Sequence, residues 1–174
     1  MNILLPEFAP VVLQDQSSQA RFGCKGPQAA AWLAAQGVPI PALPNTACED
    51  VAGFDRVLRL GQSEFLIEAD ETRIEALSSL PRQHGVYPVL RNDLCIVLSG
   101  SSVNALLLQT CNVNFLAIDT SASPVVLTSM AGVTVIIRPK LYADVPQCLI
   151  WCDGTFGGYL WKTLQSIATE LNTA

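Results

Sequence analysis

Six cysteines and one histidine are the residues from which a nucleophilic centre or a metal site would have to be built. Four of the cysteines stand inside or beside apolar runs typical of strands: Cys24, Cys95, Cys148 and Cys152. Cys148 and Cys152 are four residues apart on one predicted strand, which separates them by about 13 Å, too far for a disulfide. His84 falls in a polar turn where we expect it to be exposed, and no C-x-x-C pair occurs. The sequence therefore predicts reduced cysteines that pack in the core, with no metal site.

Glycine, serine and acidic residues are the other groups that could do chemistry. Gly154-Thr155-Phe156-Gly157-Gly158 precedes a predicted helix, but its spacing matches neither a P-loop nor a dinucleotide motif, so we expect a tight strand–helix turn. Ser101 and Ser102 lack the G-x-S-x-G context of a hydrolase. The main acidic residues are placed in predicted loops or at helix starts: Glu49, Asp50, Glu68, Asp70, Glu71 and Asp153. No pair of these acidic residues has a spacing that indicates general acid–base catalysis, so no catalytic residue is predicted.

The chain is poor in charge. Charged residues make up 14% of its 174 residues, against about 25% in ordinary soluble proteins. Two interpretations remain open: part of an apolar surface is covered by a partner, or a large core lies beneath a polar but uncharged surface. The net charge of −5 and the lack of a Lys/Arg cluster argue against nucleic acid as a partner.

Location follows from hydropathy and from the start of the sequence. No apolar run approaches the roughly 18 residues of a membrane span, so no membrane association is predicted. Residues 1–7 have no basic region or small-residue cleavage site, so they do not read as a signal peptide. The predicted location is the cytoplasm.

Predicted strands and helices follow the same order twice. Residues 1–19 are predicted to be an irregular lead-in, and residues 20–174 a single domain of two repeats, at about 20–90 and 91–174. The first repeat has predicted strands at 20–24, 56–60 and 64–69, a helix at 28–36, and a second helix opened by a capping box of Thr72 and Glu75. The second repeat has predicted strands at 94–99, 133–138 and 147–152, a helix after Gly100, and a last helix capped by Asp153 or Thr155.

Each repeat has a glycine where its first strand meets its first helix, Gly26 in one and Gly100 in the other. Each repeat resembles half of a split βαβ pair. The sequence therefore predicts an α+β fold made of duplicated ferredoxin-like (split βαβ) units. Within the second repeat, Trp151 is predicted to face away from Cys148 and Cys152 on the same strand.

Four stretches in this order resemble the gamma subunit family of heterotetrameric sarcosine oxidase. They are Gly26-Pro27-Gln28-Ala29-Ala30-Ala31-Trp32-Leu33, Leu58-Arg59-Leu60-Gly61-Gln62-Ser63-Glu64-Phe65-Leu66-Ile67, Arg91-Asn92-Asp93 followed by Val97-Leu98-Ser99-Gly100, and Thr155-Phe156-Gly157-Gly158-Tyr159-Leu160-Trp161-Lys162-Thr163-Leu164. The resemblance covers about residues 20–171 and implies the folate-binding-domain fold of the aminomethyltransferase group, which includes the T-protein of glycine cleavage. It also implies that FAD, FMN and NAD are bound by larger partner subunits, with no cofactor on this chain.

Two departures bear on folate. Catalytic members of the group carry a Tyr-Gly-Glu-Gly type segment, which the hairpin Leu60-Gly61-Gln62-Ser63-Glu64-Phe65 does not reproduce. Cys24-Lys25-Gly26-Pro27 matches only superficially the Lys-Gly-Cys-Tyr run of the member active in iron–sulfur assembly. The resemblance thus implies a non-catalytic accessory subunit that docks on a larger subunit of an amine-oxidising complex. The alternatives are a free-standing tetrahydrofolate-binding or aminomethyltransferase-like protein, with Glu64 and Glu68 as candidate folate ligands, and an unrelated interaction module.

Overall fold

A computed structural model describes residues 10–173 of the chain. These residues form ten strands and four helices, in the order β1 (Val12–Asp15), β2 (Arg21–Lys25), α1 (Ala29–Ala35), β3 (Thr46–Val51), β4 (Phe54–Leu60), β5 (Glu64–Ala69), α2 (Glu71–Ser79), β6 (Tyr87–Pro88), β7 (Asp93–Ser99), α3 (Val103–Thr110), β8 (Val126–Met130), β9 (Val133–Tyr142), β10 (Val145–Asp153) and α4 (Gly157–Thr173). Single turns of 3-10 helix lie at Phe115–Ala117, Thr120–Ala122 and Gly154–Phe156. None of the described helices is long and apolar enough to cross a membrane.

The strands form two five-stranded antiparallel sheets. In the first sheet the strand order is β3-β4-β5-β2-β6, and in the second it is β8-β9-β10-β7-β1. The two orders correspond position by position, because β2 to β5 of one sheet have the same neighbours as β7 to β10 of the other. The predicted α+β class is confirmed, and each sheet contains two strands more than the sequence pattern indicated: β3 and β6 in the first, and β1 and β8 in the second.

The sheets and helices pack as four layers. Helices α1 and α2 cover the outer face of the first sheet, where Phe22, Leu33 and Ile67 belong to one apolar cluster. Helices α3 and α4 cover the outer face of the second sheet, with Leu106 and Leu164 in another cluster. The inner faces of the sheets meet in a third cluster of nine buried residues: Ala47, Leu58, Leu60, Leu66, Cys95, Val97, Val125, Leu149 and Trp151. We call this region the inter-sheet layer.

The pleat of each strand decides which residues enter the inter-sheet layer. On β10, Trp151 points into it, while Cys148 and Cys152 point to the helices, as the alternation predicted. On β5 the same alternation sends Phe65 and Ile67 to the helix side. Leu66 and Glu68 therefore share the opposite face, and a charged residue is carried between the two sheets.

Glycine is required where β2 runs into α1. Gly26 has φ +127°, and a Cβ built on it would stand 2.2 Å from the carbonyl oxygen of Gly85. Gly100, at the equivalent junction between β7 and α3, has φ +131°. Other residues rarely adopt such angles, and the two predicted glycine junctions share nearly the same φ.

Several expectations from the sequence are wrong in detail. The lead-in is not irregular throughout, because Val12–Asp15 form β1 and pair with β7; residues 1–9 lie outside the described part of the chain. The predicted capping box at Thr72 does not form, because the Asp70 carboxylate accepts the N–H of Arg73 and the helix starts at Glu71. Asp153 does act as a cap, although on the 3-10 turn that leads into α4.

Candidate functional site

Glu68, one of the two folate candidates, lies fully buried between the two sheets. It stands on β5 directly across from Arg21 on β2 and from Arg56 on β4, so that one carboxylate has an arginine on each side. Arg21 Nε donates to Glu68 Oε1 at 2.7 Å, and Arg56 Nε donates to Glu68 Oε2. Trp151 Nε1, from the opposite sheet, donates to Glu68 Oε1 at 2.8 Å. Both oxygens are thus occupied, and the side chain has no exposed surface on which a ligand could bind.

The arrangement joins the two sheets through one buried carboxylate. Burial acts to lower the pKa of Arg56, but the charge of Glu68 and its hydrogen bond outweigh this effect and raise the pKa above its usual value. Arg56 therefore stays ionised in the folded protein. We call Arg21, Arg56, Glu68 and Trp151 the Glu68 cluster. Its geometry is that of a structural contact, because every polar atom of Glu68 already has a partner from this chain.

Glu64, the second folate candidate, lies on the same face of β5 nearer to the solvent. Its side chain is 35% exposed, and Glu64 Oε1 accepts a hydrogen bond from Arg91 Nη2 at 2.5 Å. The structure therefore brings Glu64 and Glu68 onto one face, but it gives each a cation from within the chain.

A second group of charged side chains links the two sheets at the other end of the inter-sheet layer. Glu49 on β3 lies 3.4 Å from Arg138 Nε and 3.1 Å from Lys140 Nζ, both on β9. Burial lowers the pKa of Arg138, and the charge of Glu49 opposes this shift. Glu49 was expected in a loop; instead it is a strand residue whose partners come from the other sheet.

One open pocket lies at the edge of the inter-sheet layer, beside the start of α4. It has a volume of about 480 Å³ and is lined by Asp15, Ser17, Gln19, Arg21, Arg91, Asn92, Asp93, Leu94, Gly154, Gly157 and Gly158. We call it the β7–α4 pocket. Asp93, the first residue of β7, contributes a carboxylate whose buried Oδ2 has no hydrogen-bond donor. Burial raises the pKa of Asp93, while the charges of Arg91 and Arg21 act in the opposite direction.

The cysteines and the histidine are the reactive groups noted in the sequence. All six cysteines are free, and burial raises the pKa of Cys24 to about 11 and that of Cys95 and Cys148 to about 12, so the thiols stay protonated. His84 is exposed in its turn, as predicted. Among residues 10–173, no group of three or more His, Cys, Asp or Glu side chains is placed to hold a metal ion.

Sequence reasoning missed the Glu68 cluster and Asp93. The available signal was a charged residue inside an apolar strand: Glu68 follows Leu66 by two positions and must share its face. Arg56 precedes Leu58 by two positions on β4 and must likewise share its face. A buried acid and a buried base on neighbouring strands of a predicted hairpin indicate an ion pair, because an unpaired charge is rarely buried.

Comparison with known proteins finds a similarity in three-dimensional structure. No protein-family model matches the chain, and no curated protein matches it in sequence. Among solved structures, the chain is similar to a chain of the heterotetrameric sarcosine oxidase from Corynebacterium sp. U-96 in complex with pyrrole 2-carboxylate. The identity is 23% and the TM-score 0.68, and the match covers 94% of this chain and 86% of the other. At this identity, the comparison establishes a shared fold.

Proposed function

We propose that the chain is a non-catalytic accessory subunit of the gamma type, which docks on a larger, cofactor-bearing subunit of a sarcosine oxidase-like, amine-oxidising complex. The observation that carries this proposal is the match over 94% of the chain to one chain of a heterotetrameric oxidase. A likeness over nearly the whole length of both chains fits a subunit of similar extent better than a domain shared by chance.

Two properties of the chain support a docking role. Large apolar side chains are exposed at several places, including Leu90 at 83%, Leu116 at 69% and Leu108 at 64%. In addition, the cysteines are free thiols, the histidine is exposed in a turn, and Glu68 is enclosed by donors from this chain. The proposed complex therefore places FAD, FMN and NAD on the partner subunits and none of them on this chain, and its proposed location is the cytoplasm.

For the scaffold, we propose a duplicated ferredoxin-like architecture of the aminomethyltransferase folate-binding type. The corresponding strand orders of the two sheets support a duplication. So do Gly26 and Gly100, which have φ values of +127° and +131° at equivalent junctions.

Co-expression tests the proposed role. The tagged chain is produced together with the flavin-bearing subunits of a sarcosine oxidase-type enzyme, and the complex is purified through the tag. We expect one species in size-exclusion chromatography with light scattering, in which flavin absorbance and amine oxidation co-elute with the chain. The same tag on an unrelated protein of similar size is the control. A monomeric chain beside fully assembled, active large subunits would contradict the proposal.

Titration with tetrahydrofolate separates this role from that of a free-standing folate protein. The enclosed Glu68 and the Glu64–Arg91 pair lead us to expect no saturable binding by the isolated chain at micromolar concentrations. Calorimetry on the wild type and on Glu64→Gln is the measurement. Micromolar binding that Glu64→Gln abolishes would favour the folate protein over the accessory subunit.

A further inference from the structure

Two hairpin turns lie at the end of the inter-sheet layer where Glu49 contacts Arg138 and Lys140. These contacts join β3 to β9 shortly before each strand ends in its turn. Thr46 bridges Pro124 in the antiparallel sense, and β8, which follows Pro124, is antiparallel to β9. Strands β3 and β9 therefore run in the same direction, and the β3–β4 and β9–β10 turns lie at the same end of the layer.

Apolar side chains at these two turns are exposed, although they continue the inner faces of the sheets. Val51 on β3 and Tyr142 on β9 each lie two positions beyond a residue that contacts the opposite sheet, so they share its face. Val145 stands directly across from Tyr142 on β10. The exposed fractions are 44% for Val51, 57% for Tyr142 and 37% for Val145, and Leu141 on the other face of β9 is 56% exposed. We call these four residues the hairpin surface.

The backbone that carries the hairpin surface is held in place by the fold. Ala143 and Asp144 make the β9–β10 turn with φ +48° and +63°, and the carbonyl oxygen of Pro146 accepts the N–H of Gly100. A surface held in this way loses little conformational freedom on binding. Exposed apolar side chains grouped on a fixed backbone are typical of protein interaction sites.

The exposed charges beside the hairpin surface are acidic. Asp50 on β3 and Asp144 in the β9–β10 turn are exposed, and neither forms an ion pair with another residue among 10–173. The bases near these turns are already paired, Lys140 with an acid of β3 and Arg73 with Asp70. A second copy of the chain would bring its own unmatched acids to the same interface, and like charges disfavour such a contact. The acids instead complement a partner with basic side chains.

We propose that the hairpin surface is the contact through which this chain docks on the larger subunit, in an apolar depression rimmed by lysine or arginine side chains. This inference rests on the proposed accessory role. Stable interfaces combine a buried apolar centre with a polar rim, and tyrosine is enriched among the residues that contribute most of the binding energy. Tyr142 and its apolar neighbours supply the centre, while Asp50 and Asp144 supply the rim.

The first test measures assembly of the full chain with the flavin-bearing subunits. We expect Tyr142→Ser to weaken the affinity about 10- to 100-fold, as is typical of a central interface tyrosine. The matched control is Tyr87→Ser, which removes a tyrosine of similar exposure from β6, at the opposite edge of the first sheet from β3, and should leave the affinity unchanged. If Tyr142→Ser assembles as tightly as the wild type, or if both variants lose the same affinity, the proposal is wrong.

The second test addresses the basic rim through the association rate at different salt concentrations. Asparagine adopts positive φ angles readily, so Asp50→Asn combined with Asp144→Asn removes two charges and keeps both turns. Rim charges act mainly on the association rate, so this double variant should associate more slowly at low salt and depend less on salt than the wild type. The control, Glu75→Gln combined with Glu170→Gln, removes two exposed acids from α2 and α4 and should behave as the wild type. Equal salt dependence of the wild type and the Asp50/Asp144 variant would overturn the basic rim.

Light scattering on the isolated chain separates the possible occupants of the hairpin surface. We expect a monomer for the wild type. A dimer that Tyr142→Ser dissolves would overturn the proposal in favour of a second copy of this chain. Failure of the wild type to assemble with the flavin-bearing subunits would refute the accessory role and this inference with it. Normal assembly of both the wild type and Tyr142→Ser would refute the docking surface alone.

Discussion

Replacing Glu68 with glutamine should destabilise the protein strongly, because the change acts on a buried carboxylate with three donors. Glutamine keeps one oxygen for Trp151 or Arg21, but its amide group presents donors where Glu68 Oε2 accepts from Arg56. Removing one partner of a buried ion pair costs about 3–5 kcal/mol. This loss is a large part of the total stability of a domain, which is about 5–15 kcal/mol.

The expected loss corresponds to a clear shift in thermal unfolding. For chains of this length, 1 kcal/mol changes Tm by about 2–4 °C, so Glu68→Gln should lower Tm by about 6–20 °C. Urea unfolding followed by circular dichroism measures the free energy directly, with an unchanged slope expected if both states keep their compactness. The control is Glu75→Gln, which alters an exposed acid on α2 and should stay within about 0.5 kcal/mol of the wild type.

The same experiment has an outcome that would refute the buried ion contact. If Glu68→Gln lies within about 1 kcal/mol of the wild type, water reaches the carboxylate and the two arginines are not desolvated. A triple variant sharpens this test. Changing Arg21 and Arg56 to methionine together with Glu68→Leu removes all three charges, and it should be far less harmful than Glu68→Gln alone, because no buried charge is then left unpaired.

Three further changes test other contacts. Trp151→Phe removes the indole donor to Glu68 and should lower the free energy of unfolding by about 1–3 kcal/mol in urea; an unchanged value would contradict that bond. Gly26→Ala forces a Cβ to within 2.2 Å of the Gly85 carbonyl oxygen at φ +127°, so we expect a loss of at least about 2 kcal/mol, and full stability would refute the tight junction. The pKa of Asp93 is raised in the folded state, so its ionisation weakens the fold as the pH rises above about 3.8. Asp93→Asn should therefore be more stable than the wild type at neutral pH, and the difference should vanish below pH 3.8; a less stable variant at pH 7 would show that the carboxylate has a partner within the chain.

The central strands could be predicted from the sequence, and the edge strands could not. Strand β5 was predicted with its observed bounds, Glu64–Ala69, because it is apolar on both faces and follows a turn. The missed strands, β1, β3, β6 and β8, all lie at sheet edges. An edge strand is held by hydrogen bonds to one neighbour, so polar residues such as Gln14 in β1 or Asp50 in β3 are tolerated and the apolar pattern is weak.

The site was harder to predict, because its contacts join distant parts of the chain. Glu68 was predicted only as a candidate folate ligand, and its donors Arg21 and Trp151 lie 47 and 83 residues away in sequence. Periodicity places Glu68 on the face of Leu66, yet it does not indicate that the same face meets a second sheet. Whether this carboxylate is free to bind a ligand or forms a structural ion pair depends on the residues that the second sheet places against it.

The burial of charged side chains accounts for part of the low surface charge of this protein. Four of its ten basic residues, Arg21, Arg56, Arg91 and Arg138, have side chains no more than 15% exposed. The surface is therefore even poorer in cations than the composition implies. Buried ion contacts add little net stability compared with apolar packing, but they favour one register of the two sheets, because any shift would separate buried charges.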